Sequence, residues 1–587
     1  MLRFVVPAVL ALTAASFAQT PLFPLKDVRA GMRGTGRTVF SGNRIEDFQA
    51  EILGVLDNFG PKESLILARL SGGPLEHTGV MQGMSGSPVY IDGKLVGAVA
   101  MAFPYAKDPI AGIRPIEDMV RASTNSASAP IKRPIIALSD RDLTRVLSRP
   151  QPVMTGEARM VEIATPISFG GFSRATIDAF GPLLRPLGLE PRQSVTAGAK
   201  IEPGMGNPAD LKPGSMISVQ LLSGDFSVAA DGTVTHVDGN KVYAFGHRFL
   251  DVGATALPFA RSDVITLVPN VNTSFKLSSA REWMGTIYQD NNTAISGELG
   301  RRPAMAPVSI SVSRSGKPVE SYQMQMVNDV LLSPILVQMA VYSAIDATER
   351  TVGAATIQVS GEVEFQNAPA PVRINNVFAA DNGSAMQASL SAAIPLAYVM
   401  QSEFRALQLK KADIRIAAFP QKKQLAIDAI SVSKHEVRAG EKLQLNVVMS
   451  GENGTETVRR LTYDVPIGAE PGTLYFTAAD ANVTNLTDFR AVLTSSPRNV
   501  AQLISTVNNL HPNTKAYVRI WRADPSFQLE GADLPDPPAS IAMILAGSQS
   551  SQAGITQTRN SKVGQIEIDG GDMVISGVKT VQVEIKE

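Results

Sequence analysis

The chain has 587 residues, of which 44% are hydrophobic and 18% are charged, a balance typical of folded proteins with several domains. Its 54 basic and 54 acidic residues leave no net charge, which argues against a nucleic acid as partner. The absence of cysteine excludes disulfides, thiolate catalysis and cysteine-ligated zinc.

The N-terminus has the three parts of a signal peptide. A short start that contains Arg3 precedes an apolar run over residues 4–15, and Ser16 and Ala18 are small residues at the positions that signal peptidase reads. The pattern predicts a signal peptide over residues 1–18 and an exported protein, periplasmic or secreted. An uncleaved N-terminal anchor is the alternative. No other segment is apolar for long enough to cross a bilayer, so no transmembrane span is expected after cleavage.

Residues 22–122 are predicted to form strands joined by tight turns. A hairpin is indicated by the apolar runs on either side of the Asp92-Gly93 turn. Residues 123–211 begin with a linker of small residues and continue as a mixed α/β insertion. Within it, residues 173–187 are expected to be partly helical.

Strands return over residues 212–365, with a second hairpin around an Asp-Gly turn and a short helix near residues 332–344. Residues 366–587 are β-rich. Apolar residues largely alternate over residues 443–449, and turns follow at short intervals, which is typical of an immunoglobulin-like β-sandwich. One helix is expected in this region, over residues 498–510.

The most distinctive local feature is Gly-Met-Ser-Gly-Ser-Pro at residues 83–88. Glycines on both sides allow a sharp turn that exposes the hydroxyl of Ser85 and lets a substrate carbonyl approach. In chymotrypsin-like hydrolases the oxyanion is bound by the N–H groups of the nucleophile and of the residue two before it, here Ser85 and Gly83. The alternative is a glycine-serine turn that only connects two strands.

A serine nucleophile needs a base, and histidine is the usual one because its pKa lies near neutral pH. The chain has five histidines: His77, His236, His247, His435 and His511. The first is only eight positions before the serine, the last two lie in the predicted sandwich, and His236 is in the middle of a strand. His247 follows a glycine at a strand end, where its ring can face a cleft. A lone histidine is more often structural than catalytic.

Two segments resemble the SpoIVB-type serine peptidases. The serine turn and the Ile-Asp-Gly-Lys-Leu-Val-Gly-Ala-Val sequence at residues 91–99 are similar to the nucleophile region of that family. Residues 232–251, which contain Tyr-Ala-Phe-Gly-His, resemble its histidine region. The resemblance extends over residues 25–122 and 212–300.

The resemblance implies a mainly β protein with a trypsin-like β-barrel core, and a serine endopeptidase with Ser85 as nucleophile and His247 as base. Compared with the family, the two segments occur in permuted order, with the serine first, and no PDZ module is found. A permutation can preserve the site, because a catalytic triad is defined by geometry and not by chain order.

The family's triad acid lies shortly before its nucleophile, but the matching stretch here, residues 67–71, has no carboxylate. Glu76, Asp225 and Asp251 are candidate replacements. Asp225 is preferred because it lies on the segment that leads to His247. Loss of the orienting acid can reduce turnover about 10⁴-fold, so a slow or inactive enzyme is also consistent with the sequence.

Two functions therefore stay open. The first is an exported serine endopeptidase that acts on a protein or peptide substrate, with self-processing in the Gly/Pro-rich connection over residues 198–213 as a further expectation. The second is a catalytically retired scaffold or binding protein of the cell envelope, with its partner on the C-terminal region.

A metal-dependent hydrolase is disfavoured, because the chain has no HExxH motif and no histidine cluster. No cofactor or metal is implied.

Overall fold

The structure is a computed structural model that describes residues 21–125, 160–194, 204–302, 304–348, 352–404, 407–492, 497–524, 526–529, 532–535, 537–547, 555–558 and 560–587. The predicted signal peptide lies outside the described residues. The chain is mainly β, as the sequence predicted, because its apolar runs are short and are separated by turns rich in glycine and proline.

The strands are numbered β1 to β32 in chain order: Arg33–Ser41, Arg44–Gly60, Glu63–Ser71, Pro88–Ile91, Lys94–Ala102 and Ile110–Pro115 (β1–β6); Val161–Glu162, Thr165–Gly170 and Leu189–Gln193 (β7–β9); Met216–Gly224, Ser227–Asp238, Lys241–Ala244, Gly253–Val268, Phe275–Asn291 and Ala294–Leu299 (β10–β15); Met305–Arg314, Glu320–Val327, Val352–Phe365, Val372–Asn382 and Leu409–Phe419 (β16–β20); Gln424–Val432, Glu436–Arg438, Lys442–Gly451, Glu456–Asp464, Gly472–Asp480 and Lys515–Arg522 (β21–β26); Ser526–Leu529, Ala532–Pro535 and Ile555–Thr558 (β27–β29); Ser561–Asp569, Val574–Ser576 and Val578–Lys586 (β30–β32). The described α-helices, α1 to α8, are Leu75–Thr78, Ile116–Asn125, Arg174–Leu184, Leu332–Thr348, Ser384–Met400, Ala481–Val492, Val500–Asn508 and Ala539–Gly547.

Strands β1 to β6 close into a six-stranded antiparallel barrel, the first barrel. Its strand order is β1-β2-β3-β6-β5-β4, and β4 closes the barrel by pairing with both β5 and β1. The predicted hairpin around Asp92-Gly93 is the β4–β5 pair. Apolar side chains such as Phe48, Ile66 and Val99 form the barrel core.

Strands β10 to β15 close into a second six-stranded antiparallel barrel. Its order is β10-β11-β12-β15-β14-β13, and β13 pairs with β10 to close it. Numbered within each barrel, the strand order 1-2-3-6-5-4 is the same in both. The two barrels touch through single bridges, from Gly42 to Val264 and from Gln82 to Phe275. This pair of barrels is the mainly β core that positions the candidate site.

The sheet of the second barrel continues on both sides. Strands β8 and β9 extend it beyond β11, and β17, β16, β20, β18 and β19 extend it beyond β10, where α4 and α5 pack against it. The predicted boundary between residues 365 and 366 falls between β18 and β19, which pair with each other in one sheet. Alternation along a strand shows which face is buried, but it does not show which sheet the strand joins.

The C-terminal strands β21 to β26 and β30 to β32 form two sheets around one apolar core. Their orders are β24-β23-β21-β31 and β22-β32-β25-β26-β30. Leu445 and Val447 of the first sheet share the core with Phe476 and Val518 of the second. The region is thus a sandwich, and its immunoglobulin-like character stays a prediction. Among the described residues, no helix is both long and apolar enough to cross a membrane.

Candidate active site

Ser85 lies in a sharp turn between α1 and β4. Two glycines in the left-handed region form this turn, Gly83 with φ 90° and Gly86 with φ 93°. Inside the turn, the N–H of Met84 donates to the carbonyl of Met81. The sequence analysis expected an exposed hydroxyl, but Ser85 is 0% exposed, because the turn packs directly against the second barrel.

Strand β11 of the second barrel holds this turn through three hydrogen bonds. The N–H of Thr233 donates to the carbonyl of Ser85 at 2.9 Å, and its Oγ1 donates to the carbonyl of Gly83 at 2.8 Å. Two residues further along the strand, Oγ1 of Thr235 donates to the carbonyl of Gly86 at 2.7 Å. Alternate residues of a strand face the same side, so one face of β11 fixes the turn.

The N–H groups of Gly83 and Ser85 are the predicted oxyanion donors. In the part of the chain that the structure describes, neither group donates to a protein acceptor. A Cβ on Gly83 would lie 3.3 Å from Cβ and Cδ of Lys276, so the position has little room for a side chain. The two N–H groups are therefore not used by the fold and could bind an oxyanion.

Lys276 is a buried amine beside the serine turn. Its Nζ donates to Oγ1 of Thr38 at 2.7 Å, and Oγ of Ser87 donates to the same oxygen at 3.0 Å. Burial lowers the pKa of Lys276 to about 7. A large fraction of the amine is therefore neutral near neutral pH, which avoids much of the cost of burying an unpaired charge.

His247 lies in the loop that follows β12 of the second barrel. The loop begins with two residues in the left-handed region, Phe245 with φ 71° and Gly246 with φ 70°. The ring of Phe245 is fully buried, so packing in the barrel core holds this strained backbone. A Cβ on Gly246 would lie 3.1 Å from Cβ of Ala98 and 3.3 Å from the carbonyl oxygen of Val99. The histidine loop therefore packs directly against β5 of the first barrel.

The serine turn and the histidine loop meet at Val99. The N–H of Gly86 donates to the carbonyl oxygen of Val99 at 2.8 Å, and Gly246 packs against the same oxygen. Ser85 and His247 are the chain neighbours of these two glycines, with 0% and 2% of their surface exposed. Among the described residues, neither Oγ of Ser85 nor Nε2 of His247 has a hydrogen-bond partner. The structure thus brings the two predicted residues into one enclosed region.

The other ring nitrogen of His247 is hydrogen-bonded, since Nδ1 lies 2.6 Å from the carbonyl oxygen of Arg248. A carbonyl can only accept, so Nδ1 carries the proton and Nε2 is the basic atom. Burial lowers the pKa of His247 to about 4, against a raising effect of Glu162 and with a further lowering effect of Arg114. The ring is neutral near neutral pH, which is the state that a general base requires.

The structure does not bring the preferred acid, Asp225, to the histidine. Asp225 lies in the turn between β10 and β11, at the opposite end of these strands from the serine turn. Its Oδ2 accepts the N–H of Gln323 at 2.7 Å. The alternative Glu76 is exposed in α1. Closeness to His247 in the sequence did not predict closeness in space, because strand β11 carries the chain away from Asp225 over the full length of a hairpin.

Glu162 in β7 is the carboxylate whose charge acts on His247. Pairing with β5, in the register Met101 to Glu162, places β7 beside the histidine loop. Oε2 of Glu162 lies 3.4 Å from Nε of Arg248, and Asp251 lies 3.5 Å from the same guanidinium. These two carboxylates hold the residue whose carbonyl orients the imidazole.

Asp290 in β14 fixes the loop that follows the histidine. Its Oδ1 accepts the N–H of Phe249 at 2.8 Å, and its Oδ2 accepts those of Leu250 at 2.7 Å and Val252 at 3.4 Å. Burial raises the pKa of Asp290 to about 6, although the three N–H groups act to lower it. Asp290 is therefore a positioning residue for the loop that carries His247.

Sequence reasoning missed Glu162, Asp290 and the carbonyl of Arg248. The two carboxylates contact residues that are distant in the chain, and Arg248 contacts the histidine through its backbone. Contacts of these two kinds produce no recognisable motif in the sequence. The role of Thr233 and Thr235 could have been predicted from the sequence. They are two residues apart in a predicted strand beside the histidine motif, so their hydroxyls lie on the same face of that strand. In the described ranges, no group of three or more His, Asp or Glu residues could hold a metal ion.

Comparison with protein families matches residues 18–120 to the SpoIVB peptidase S55 family. The matched segment contains all of the first barrel and Ser85, and it ends before the second barrel and His247. Comparison with curated proteins and with solved structures finds no match. The family match supports a serine peptidase in general terms.

Proposed function

We propose that this chain, whose residues 18–120 match the SpoIVB peptidase S55 family, is an exported serine endopeptidase with Ser85 as nucleophile and His247 as base. The observation that carries the residue assignment is that Oγ of Ser85 and Nε2 of His247 are both buried and unpartnered among the described residues, in two loops that meet at the carbonyl oxygen of Val99. Other buried side-chain atoms of the described residues, such as Nδ1 of His236, also have no hydrogen-bond partner. The meeting of the two loops at Val99, and not the missing bonds alone, therefore supports the pair.

In the proposed reaction, Oγ of Ser85 attacks the carbonyl carbon of a peptide bond while its proton passes to Nε2 of His247. The N–H groups of Gly83 and Ser85 bind the oxyanion that forms. His247 then gives the proton to the leaving amine, the C–N bond breaks, and an acyl ester remains on Ser85. Water attacks this ester with His247 again as base, and the carboxylic acid is released.

The carbonyl of Arg248 takes the place of the triad acid in this proposal. It fixes the ring tautomer, as an acid does, but it has no full charge to stabilise the imidazolium. A slow enzyme is therefore expected. The serine-first order is consistent with a permuted peptidase core, because both barrels have the same strand order. Self-processing between residues 198 and 213 belongs to the same proposal, and residues 198–203 of that connection lie outside the described residues.

The second function is a catalytically retired scaffold or binding protein of the cell envelope. Two observations favour it: the site is closed to solvent, and the ring of His247 is oriented by a backbone carbonyl instead of a carboxylate. In that case the C-terminal sandwich is the proposed partner-binding region.

The test is covalent labelling of the purified protein by a fluorophosphonate, a reagent that requires an activated serine. We expect an adduct on Ser85, and its loss in Ser85→Ala. The matched control is Ser87→Ala, which removes a buried hydroxyl from the same turn, one that bonds to Thr38. Equal labelling of the wild type and Ser85→Ala would rule out Ser85 as nucleophile.

Glu162→Gln is expected to lower the labelling rate about 10-fold, far less than the roughly 10⁴-fold loss that follows removal of a true triad acid. The reason is that Glu162 acts on His247 indirectly. It pairs with Arg248, and its charge raises the pKa of the histidine. Asp225→Asn, at the far end of the hairpin, should leave the rate unchanged. A loss of several powers of ten in Glu162→Gln would instead make Glu162 the direct acid.

A further inference from the structure

A groove of about 620 Å³ is lined by residues of both barrels. The first barrel contributes Asn43 and Ile45, at the turn between β1 and β2, and the second barrel contributes Met216, Arg261 and Ser262. The volume falls in the range of roughly 300–1,000 Å³ that is common for ligand sites. Most of the lining is polar, which suits the main chain of an extended peptide.

Met216 connects this groove to the proposed oxyanion site. The residue contributes to the groove wall, and its Cε lies 3.2 Å from the position that a Cβ on Gly83 would take. Met216 is 1% exposed and packs with Val39 and Val264 in a small apolar cluster. The methionine side chain thus fills the space between the groove and Gly83.

We propose that the groove leads to Ser85 and that Met216 is the gate that closes it, so that a peptide reaches the serine only when this side chain moves aside. The inference rests on the proposed peptidase function, and it explains why the site is enclosed. Methionine suits such a role, because its unbranched side chain has three rotatable bonds and adapts to different packing. The groove then holds the substrate on one side of the scissile bond.

Closure also affects the base. Burial is the largest cause of the low pKa of His247. Admission of water or of a polar peptide group reduces that burial and raises the pKa toward its ordinary value. A site that opens as far as His247 is therefore expected to contain a stronger base than the closed one.

The experiment uses the fact that the chain has no cysteine. Ser85→Cys places a single thiol at the site, and its rate of reaction with methyl methanethiosulfonate reports access without any catalysis. We expect Ser85→Cys to react about 100-fold more slowly than Asn43→Cys, whose thiol lies exposed at the groove, since a closed state reduces the rate by the open fraction. Adding Met216→Val should raise the rate at position 85 about 10-fold.

Met216→Val removes the Cε that lies beside Gly83 and introduces a β-branched residue, which suits a strand. The matched control is Val264→Ala, which loses apolar volume from the same cluster but does not line the groove. Two results would contradict the proposal that Met216 is the gate. One is that Val264→Ala raises the rate of thiol reaction at position 85 as much as Met216→Val does. The other is that Met216→Val does not change this rate in a protein with a normal melting temperature. Faster thiol reaction together with no fluorophosphonate labelling of Met216→Val would support the gate and count against the peptidase.

Discussion

Gly86→Ala is expected to separate the serine turn from the second barrel and to reduce fluorophosphonate labelling at least about 100-fold. A Cβ at this position would lie 2.0 Å from the carbonyl oxygen of Thr233 and 2.6 Å from the nitrogen of Phe245. Both are backbone atoms, one in β11 and one at the start of the histidine loop, so neither can rotate away as a side chain could. The turn must therefore shift, which breaks the bond to Val99 and displaces Ser85 from His247.

The matched control is Gly93→Ala in the β4–β5 hairpin. Gly93 also has a positive φ, of 74°, but a Cβ there would meet nothing within 4 Å. Its substitution should cost only the roughly 1–2 kcal/mol of a left-handed alanine, with labelling retained. We expect thermal unfolding to show a loss of about 3 kcal/mol or more in Gly86→Ala. Equal stability and equal labelling of the two variants would contradict the close contact between the barrels.

Asp290→Ala is expected to lower the free energy of unfolding by about 3 kcal/mol and the labelling rate at least about 100-fold. The substitution leaves the N–H groups of Phe249, Leu250 and Val252 without their acceptor, the first of them fully buried and the other two half-buried. The loop that carries His247 then loses its anchor. Denaturant unfolding and the labelling rate, measured on the same preparation, check both effects.

Asp290→Asn distinguishes the effect of the hydrogen bonds that Asp290 accepts from the effect of its negative charge. The amide oxygen can still accept N–H groups, but the amide nitrogen cannot, so stability and labelling should fall between those of the wild type and Asp290→Ala. Labelling at the wild-type rate in a folded Asp290→Ala protein would show that the loop does not need this anchor. The contrast with Glu162→Gln is informative, because Asp290 fixes the loop by hydrogen bonds, whereas Glu162 acts through Arg248 and through its charge.

The sequence analysis succeeded where the decisive signal is local. The Asp92-Gly93 turn identified the β4–β5 hairpin, and the glycines around Ser85 identified the sharp turn. The position of His247 after a glycine at a strand end also agrees with the loop after β12. The pairing of the two residues stays a prediction until it is tested by labelling.

Other features depend on contacts between distant segments. Asp225 was preferred for its position in the chain, yet β10 and β11 place it at the far end of a hairpin. Glu162 reaches the site only because β7 adds to β5, and nothing in its own neighbourhood predicts that pairing. Burial of Ser85 likewise arises from the packing of two barrels, which composition and alternation do not specify.

The central claim, that Ser85 and His247 act as a pair, is tested most directly by the rate of fluorophosphonate labelling, measured for the wild type and for Met216→Val. We expect an adduct on Ser85 in both, faster in Met216→Val, and a fall of about 10⁴-fold in His247→Ala. His236→Ala, which removes another buried histidine of the second barrel, should label normally. No labelling of either folded protein, or an undiminished rate in His247→Ala, would contradict the claim.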